Sequence, residues 1–464
     1  MTIDANTRPA TSGRSNRLAL TVIAAAQLLV VLDGTIVTVG LPRIGVGLGM
    51  DRSELGWVLT AYALSFGGLL LVGGRAGDLF GRRRMFRIGL GIFLVASLLG
   101  GVATNGAMLI VARAVQGIGS AFIAPAALSL LADTFAAGPA RDRALGVYGA
   151  MGGLGSVIGL LLGGALTEYI GWRAILFINV PFALAVLAGA RALMPGTRER
   201  GGLDLSGAVT ATGGLAALVY AINQAGSHGL DDGRAILPGV LAAALLLMFV
   251  RVQRRSTAPM IPAAVVADRG RGAANSVMFL MGAGMLATFY FLTLYMQAVK
   301  QYPPMLTGLA YLPFALAIGI GSGAIGPKLL SGRSVRAVTL SGMLLAAGGT
   351  AWFGLLQPGQ NPWLVLIPAQ ALAGVGLGLG FVTVTSSGVR GVAPQDAGIA
   401  SGLVNTSQQI GGAVGLAALA ALAAHLAGGA GAPMIEALTS GLLGAAALYL
   451  AATVPALMLP RSDI

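Results

Sequence analysis

Fourteen apolar runs, each about long enough for a helix to cross a bilayer, alternate with short polar or charged segments along this chain. A membrane-spanning helix needs about 20 predominantly apolar residues. The runs fall at 18–41, 55–74, 86–104, 107–131, 144–167, 174–194, 205–224, 235–250, 273–299, 307–330, 337–356, 363–388, 397–424 and 438–459. Composition excludes the alternative that they are core helices of a soluble protein: 56% of the 464 residues are hydrophobic and 10% charged. Soluble domains carry about 25% charged residues, and a soluble fold so depleted would expose apolar surface throughout. The expected fold class is therefore an all-α integral membrane protein with 14 transmembrane helices in a lipid bilayer. The 72 glycines follow no collagen period and suit a multi-span bundle, where small residues let helices approach. The first run is too long for a signal-peptide core and is retained as span 1.

The net charge of +13 would suggest a nucleic-acid partner in a soluble chain. Here it is topological, and no nucleic acid is expected. With the N-terminus in the cytoplasm, five of the 29 Lys+Arg fall outside (Arg43, Arg52, Arg173, Arg234 and Lys300), Arg113 lies within a span, and the other 23 fall inside. Cationic loops mark the cytoplasmic side, so both termini are expected there. Trp57, Trp172, Trp352 and Trp363 all fall near the expected outer interface, where amphipathic rings are favoured. There is no Cys, which excludes disulfides and thiolate metal sites. The two histidines, His228 and His425, fall in extramembrane segments without clustered acids. No metal and no cofactor is expected.

An internal repeat organises the spans. GRAGDLFGRRRMF from Gly74, after span 2, matches GAIGPKLLSGRSV from Gly323, after span 10; RAVQGIG from Arg113 in span 4 matches QALAGVG from Gln370 in span 12. The offsets differ only by a loop-length change. The expected layout is a segment at 1–17 in the cytoplasm, a six-helix bundle over 18–200, two additional helices over 201–255 and a second six-helix bundle over 256–464. Repeats of this kind mark secondary transporters.

Two formal charges lie deep in the spans, Asp33 in span 1 and Arg113 in span 4. Ionisable side chains in hydrocarbon are costly and are by default functional. Asp33 lies roughly 12 Å and Arg113 roughly 9 Å from the outer ends of their spans, at about 1.5 Å per residue, so the two can meet. Burial disfavours an ionised carboxyl and a guanidinium favours it; opening to one side or the other changes both, which is a protonation switch. The alternative is a structural ion pair that fixes helix register. In the loop after span 2, Gly74, Gly77, Asp78, Gly81, Arg82 and Arg83 have the spacing of a tight turn beside a charged latch. Span 5 carries Gly152, Gly155, Gly159, Gly163 and Gly164, a smooth face for close helix packing. Met278, Met281, Met285, Phe289 and Tyr290 in span 9, with Asn405, Gln408 and Gln409 in span 13, are candidates for a substrate cavity; ordinary helix packing is the alternative reading.

LDGTIVTVGLP in span 1, GRAGDLFGRRRMF after span 2 and LIVARAVQGIGSA in span 4 resemble three signatures of the major facilitator superfamily. The 6+2+6 layout resembles its 14-span drug:proton antiporter branch, as do GWRAILFINVPF around the start of span 6 and DAGIASGLVNTSQQIGGAVG in span 13. The resemblance implies proton-coupled efflux of hydrophobic drugs or antibiotics across a bacterial cytoplasmic membrane by alternating access, with protons as the coupling partner and no enzymatic activity. It implies that Asp33 couples protons with Arg113 as partner, that Gly74, Gly77, Asp78, Gly81, Arg82 and Arg83 form a cytoplasmic gate, and that the span 5 glycines form the antiporter motif. Two positions depart from the family pattern. Gly159-Leu160 stands where the family usually has Gly-Pro, which removes an expected kink, and Leu79 stands where a basic residue is usual. A dedicated exporter of one self-produced compound is the alternative within transport. A non-transporting receptor or an intramembrane enzyme is remote, for want of a signalling domain or of a nucleophile–base pair in the spans. A bundle of this size can work as a monomer.

Overall fold

The computed structural model describes residues 13–135, 138–194, 202–229, 231–256, 259–261, 267–357, 361–392, 397–426 and 434–461, all helix and connecting turns with no strand among them. The helices are α1 (Gly13–Leu48), α2 (Arg52–Phe80), α3 (Arg82–Gly101), α4 (Gly106–Thr134), α5 (Pro139–Tyr169), α6 (Ala174–Ala192) and α7 (Leu205–His228), followed by α8 (Gly233–Arg255), α9 (Arg269–Val299), α10 (Pro304–Leu330), α11 (Val335–Leu355), α12 (Trp363–Val389), α13 (Ala397–Leu426) and α14 (Met434–Ala456). Each expected span coincides with one of them. Thirteen are long and apolar enough to cross a membrane. The remaining one, α13, carries the polar run Asn405-Thr406-Ser407-Gln408-Gln409. Of the expected segment at 1–17, residues 1–12 lie outside the described residues and the rest is already α1.

Local chemistry sets the helix ends. Asp51 and Glu54 close a reciprocal capping box at the start of α2, with Glu54 N donating to Asp51 Oδ1 at 2.8 Å and Asp51 N to Glu54 Oε2 at 3.1 Å. Asn105 and Asp268 cap α4 and α9 singly, each accepting on its side-chain oxygen from the N–H three residues on, Met108 and Arg271. A single residue, Gly81, joins α2 to α3 at φ +98°, a conformation that glycine adopts without steric cost. Several helices are less regular than the sequence suggests, α6 and α10 among them. In α6, Pro181 removes the N–H that would continue the first turn, and the helix is interrupted at Ile178 between Ala174–Phe177 and Asn179–Gly189. In α10 the backbone steps at Tyr311, just before Pro313, and widens into a π turn over Gly321–Ile325.

The sequence repeat is present in the packing. A Cβ at Gly89 of α3 would lie 2.8 Å from Gly119 O of α4, and a Cβ at Gly342 of α11 would lie 2.8 Å from Gly376 O of α12. Gly117 likewise closes α4 on α2 at Tyr62, and Gly374 closes α12 on α10 at Phe314. Backbone-on-backbone approach of this kind is how small residues hold membrane helices together.

The core divides by level. On the face carrying the described chain ends, the two halves have separate buried clusters, one around Phe86, Phe93 and Leu130 and another around Met278, Met343 and Tyr449. On the opposite face one cluster runs through both halves, from Ile36, Leu41 and Leu59 to Tyr295, Tyr311 and Leu442. Directed bonds reinforce that seal: Gln297 Nε2 donates to Val39 O at 2.8 Å, and Met305 N at the start of α10 donates to Glu168 Oε2 of α5 at 2.9 Å. The molecule is thus closed on the face opposite the chain ends. Of the two additional helices, α7 packs on α2 at Gly68–Thr212 and on α13 at Gly226–Ala421, straddling the seam between halves. α8 rests on α7 and leaves Leu237, Val240 and Leu247 exposed.

Candidate functional site

Asp33 and Arg113, the two charges that the sequence places deep in the spans, are in direct contact. Arg113 Nη1 donates to Asp33 Oδ2 at 2.6 Å, and the side chains are 0% and 1% exposed. Further hydrogen bonds hold the pair. Gln116, one turn beyond Arg113, donates from Nε2 to Asp33 Oδ1 at 3.1 Å and to Ser97 Oγ at 2.8 Å, while its Oε1 accepts from Arg113 Nη1 at 2.9 Å. Asn179 Nδ2, at the interruption of α6, donates to Asp33 Oδ1 at 2.7 Å. Arg113 Nε donates to Val58 O at 3.2 Å, and its guanidinium lies 4.4 Å from the centre of the Tyr62 ring, a favourable cation–π placement. A buried charge persists only when paired and hydrogen-bonded. This carboxylate has three donors from α4 and α6, all in one half of the molecule.

The glycines of α5 make room for it. Gly155, Gly159 and Gly163, four residues apart on one face, lie against Leu28–Val31, Leu32–Thr35 and Ile36 of α1, and Gly152 lies near Gln27. They lay α5 along the stretch of α1 that holds Asp33. Gly164 faces elsewhere, onto Pro304 and Met305 of α10. Leu160, in place of the expected Pro, is buried, and its carbonyl abuts Gly308 of α10. One residue from Asp33, Gly34 has no neighbour within 4 Å of where a Cβ would be, so open space reaches α1 beside the occluded carboxylate.

The α2–α3 turn forms a second charged cluster. Arg82 donates to Asp78 Oδ1 from Nε and Nη2, at 3.2 and 3.0 Å, and to Asp133 Oδ1 from Nη1 at 2.7 Å. This ties the turn to the end of α4. Gly77 O accepts from Gly81 N at 3.0 Å, Gly74 packs near Pro125 of α4, and Arg83 is half-buried.

The candidate cavity residues are dispersed. Met278 and Met281 are fully buried in the core of the second half, and Tyr290 is buried against Phe291; helix packing, the bland reading, accounts for their positions here. Met285, Gln408 and Gln409 are half-buried, Phe289 packs edge-on against Phe314, and Asn405 is exposed and bonded to Ser401 O. An apolar groove of about 480 Å³ opens between Leu166, Ile170, Phe177 and Pro181, and none of its lining residues belongs to the Asp33 cluster.

Sequence reasoning missed Gln116, Asn179, Ser97, Tyr62 and Asp133. The first two had a signal. Gln116 follows Arg113 at helical spacing in RAVQGIG, and Asn179 lies in GWRAILFINVPF; an amide on the inner face of an apolar helix is a buried polar group that needs a partner.

Comparison with known proteins gives consistent results. A family model for the Major Facilitator Superfamily matches residues 23–416. The puromycin resistance protein pur8 of Streptomyces alboniger is 45% identical over 419 residues, covering 88% of this chain and 83% of that protein. The cephamycin export protein CmcT of Amycolatopsis lactamdurans is 38% identical over 447 residues, covering 95% and 92%. Among solved structures, a POT family transporter in complex with a thioalcohol-conjugated peptide superposes with a TM-score of 0.69 at 14% identity over 94% of both chains, a likeness of fold alone.

Proposed function

The chain belongs to the major facilitator superfamily and is a secondary transporter rather than an enzyme, and from that premise we propose that it expels antibiotics across the cytoplasmic membrane in exchange for protons. The observation that carries the coupling is the fully buried Asp33 carboxylate with Arg113, Gln116 and Asn179 as donors. Both relatives are named for resistance to, or export of, an antibiotic, which supports outward transport of the same class of compound here.

The geometry supports one cycle. With the chain ends in the cytoplasm, as the arginine distribution favours, the closed face is the outer one and the halves part on the inner side. Substrate enters from the cytoplasm beside α1, and the Asp33 cluster lies in the first half behind Gly34. Rocking of the halves then opens the outer face and exposes the cluster. Protonation of Asp33 removes its charge from the Arg113 contact and changes the relative stability of the two states. The span 5 glycines let α5 move along α1, and the Arg82–Asp133 pair holds the α2–α3 turn in the inner gate.

Each of the two relatives is named for a single antibiotic, which favours a dedicated substrate as the second reading over a broad range. The test uses everted vesicles with an imposed, dye-reported proton gradient, challenged with aminonucleoside, β-lactam and cationic dye compounds. Proton release on adding a compound supports exchange, and the responding compounds define the range. Export that runs equally well without a proton gradient overturns the reading.

A further inference from the structure

Asn179 is unlike its neighbours in the Asp33 cluster. It is 1% exposed, its Nδ2 is committed to Asp33 Oδ1 at 2.7 Å, and its Oδ1 is buried with no hydrogen-bond partner among the described residues. An unpaired buried carbonyl costs about 1–3 kcal/mol, so a closely bonded cluster retains one unsatisfied acceptor within the same amide that touches the carboxylate. Gln116 cannot play this part. Its Oε1 accepts from Arg113 and its Nε2 donates to Ser97 as well as to Asp33, so turning it would set an amino group against the guanidinium.

We propose that Asn179 is a positioning residue that serves both protonation states of Asp33 by turning its amide over. This rests on the reading of Asp33 as the proton carrier. While Asp33 is ionised, Asn179 presents N–H to it, as in the structure. When a proton binds at Asp33 Oδ1, that oxygen becomes a donor and an N–H facing it is repelled. Rotation about the last side-chain bond of Asn179 by about half a turn, a soft and roughly two-fold torsion, brings Oδ1 round to accept the new O–H. The proton stays on Asp33, no other bond is made or broken, and Arg113 and Gln116 keep their places. The interruption of α6 at Ile178, set by Pro181, places the amide at this point of the helix. Among the described charged side chains on α1, α3 and α5, the helices packed against α6, only Asp33 faces it, with Arg113 behind. The arginines of those helices and Glu168 lie toward the helix ends, and Tyr148 lies in the core cluster near the chain-end face.

Infrared difference spectra of the purified full-length protein between high and low pH test this directly. Wild type is expected to show a carboxyl band from protonated Asp33 at the position of a hydrogen-bonded acid, together with a side-chain amide carbonyl band that changes in step with it. In Asn179→Ser, which has no side-chain amide, the amide band disappears while Asp33 still titrates and its carboxyl band is still seen. In Asn179→Leu the carboxyl band moves to the position of a free acid, and substrate-driven proton release falls about tenfold, the scale of one lost hydrogen bond. In Asp33→Asn both pH-dependent bands vanish. A wild-type carboxyl band with no accompanying amide change, or an amide change that survives in Asn179→Ser, overturns the flip and leaves Asp33 as carrier. A wild-type spectrum with no carboxyl band lost in Asp33→Asn overturns both.

Discussion

Arg113 and Asp33 approach to 2.6 Å with neither side chain open to solvent, and 80 residues of chain separate them. The guanidinium is committed three ways, to Asp33, Gln116 and Val58 O, and lies over the Tyr62 ring. Removing one partner of a buried pair leaves the other uncompensated, at a cost of about 3–5 kcal/mol. Arg113→Gln and Asp33→Asn are therefore each expected to lower the thermal midpoint in detergent sharply, whereas Asp33→Asn/Arg113→Gln, which removes both charges, should lose much less than the sum of its parts. Additive losses would mean that the two side chains are not energetically coupled.

Asp33→Asn alone retains the shape of the side chain and the contact with Arg113 but cannot take up a proton. Substrate-dependent proton release is expected to fall to background in everted vesicles matched for inserted protein, since Arg113 is left without its counter-charge and the variant is less stable. Full proton exchange by this variant would place the carrier elsewhere.

The fit between α5 and α1 has no room for a methyl group. A Cβ at Gly163 would come 2.5 Å from Ile36 O, and one at Gly159 would come 3.0 Å from Leu32 O. Overpacking costs about 1–3 kcal/mol, so Gly163→Ala should lower the thermal midpoint and slow export. Gly149→Ala in the same helix meets nothing within 4 Å and is expected to be neutral or to stabilise by up to about 1 kcal/mol through helix propensity. Equal effects from the two would show that helix contact is not what the glycines provide.

At Gly81 the backbone has φ +98° and ψ 123°, and alanine there is strained by about 1–3 kcal/mol. Gly81→Ala is expected to loosen the Arg82–Asp133 contact and raise trypsin cleavage in the α2–α3 turn. Unchanged cleavage would separate the turn from the charge cluster.

The chain has no cysteine, so introduced pairs report without background. Glu168→Cys with Met305→Cys, at the site where Glu168 meets the start of α10, is expected to cross-link under oxidation, stop export and recover on reduction. Cross-linked protein that still transports would show that this seal does not open in the cycle.

The span pattern was legible because hydrocarbon allows few polar residues, so each helix appears as a run and each loop as a break. Asp33 and Arg113 stood out for the same reason, as charges where charge is costly. Gln116, Asn179 and Ser97 did not, because an amide or hydroxyl in an apolar run changes hydropathy little and only its neighbours decide whether it has a role. The interruption in α6 and the π turn in α10 were illegible as well. Proline and glycine mark where a helix can deviate, but only packing fixes how far. For Met278 and Met281 the sequence leaves both readings open, a cavity lining or helix packing, because spacing on one helix does not say which face meets a partner.

Helix α7 touches α2 of one half and α13 of the other, and the proposed rocking of the halves could not leave both contacts unchanged. One interface must act as the bearing and the other as the anchor. At Gly68 a Cβ would strike the Thr212 side chain, and at Gly226 it would strike the Ala421 side chain and backbone, so both surfaces are close-fitting with little slack. In the rocking cycle proposed above, the added helix pair would therefore act as a brake on this flank, beside the place where α2 and α13 meet directly through Thr406 and Gly67 O.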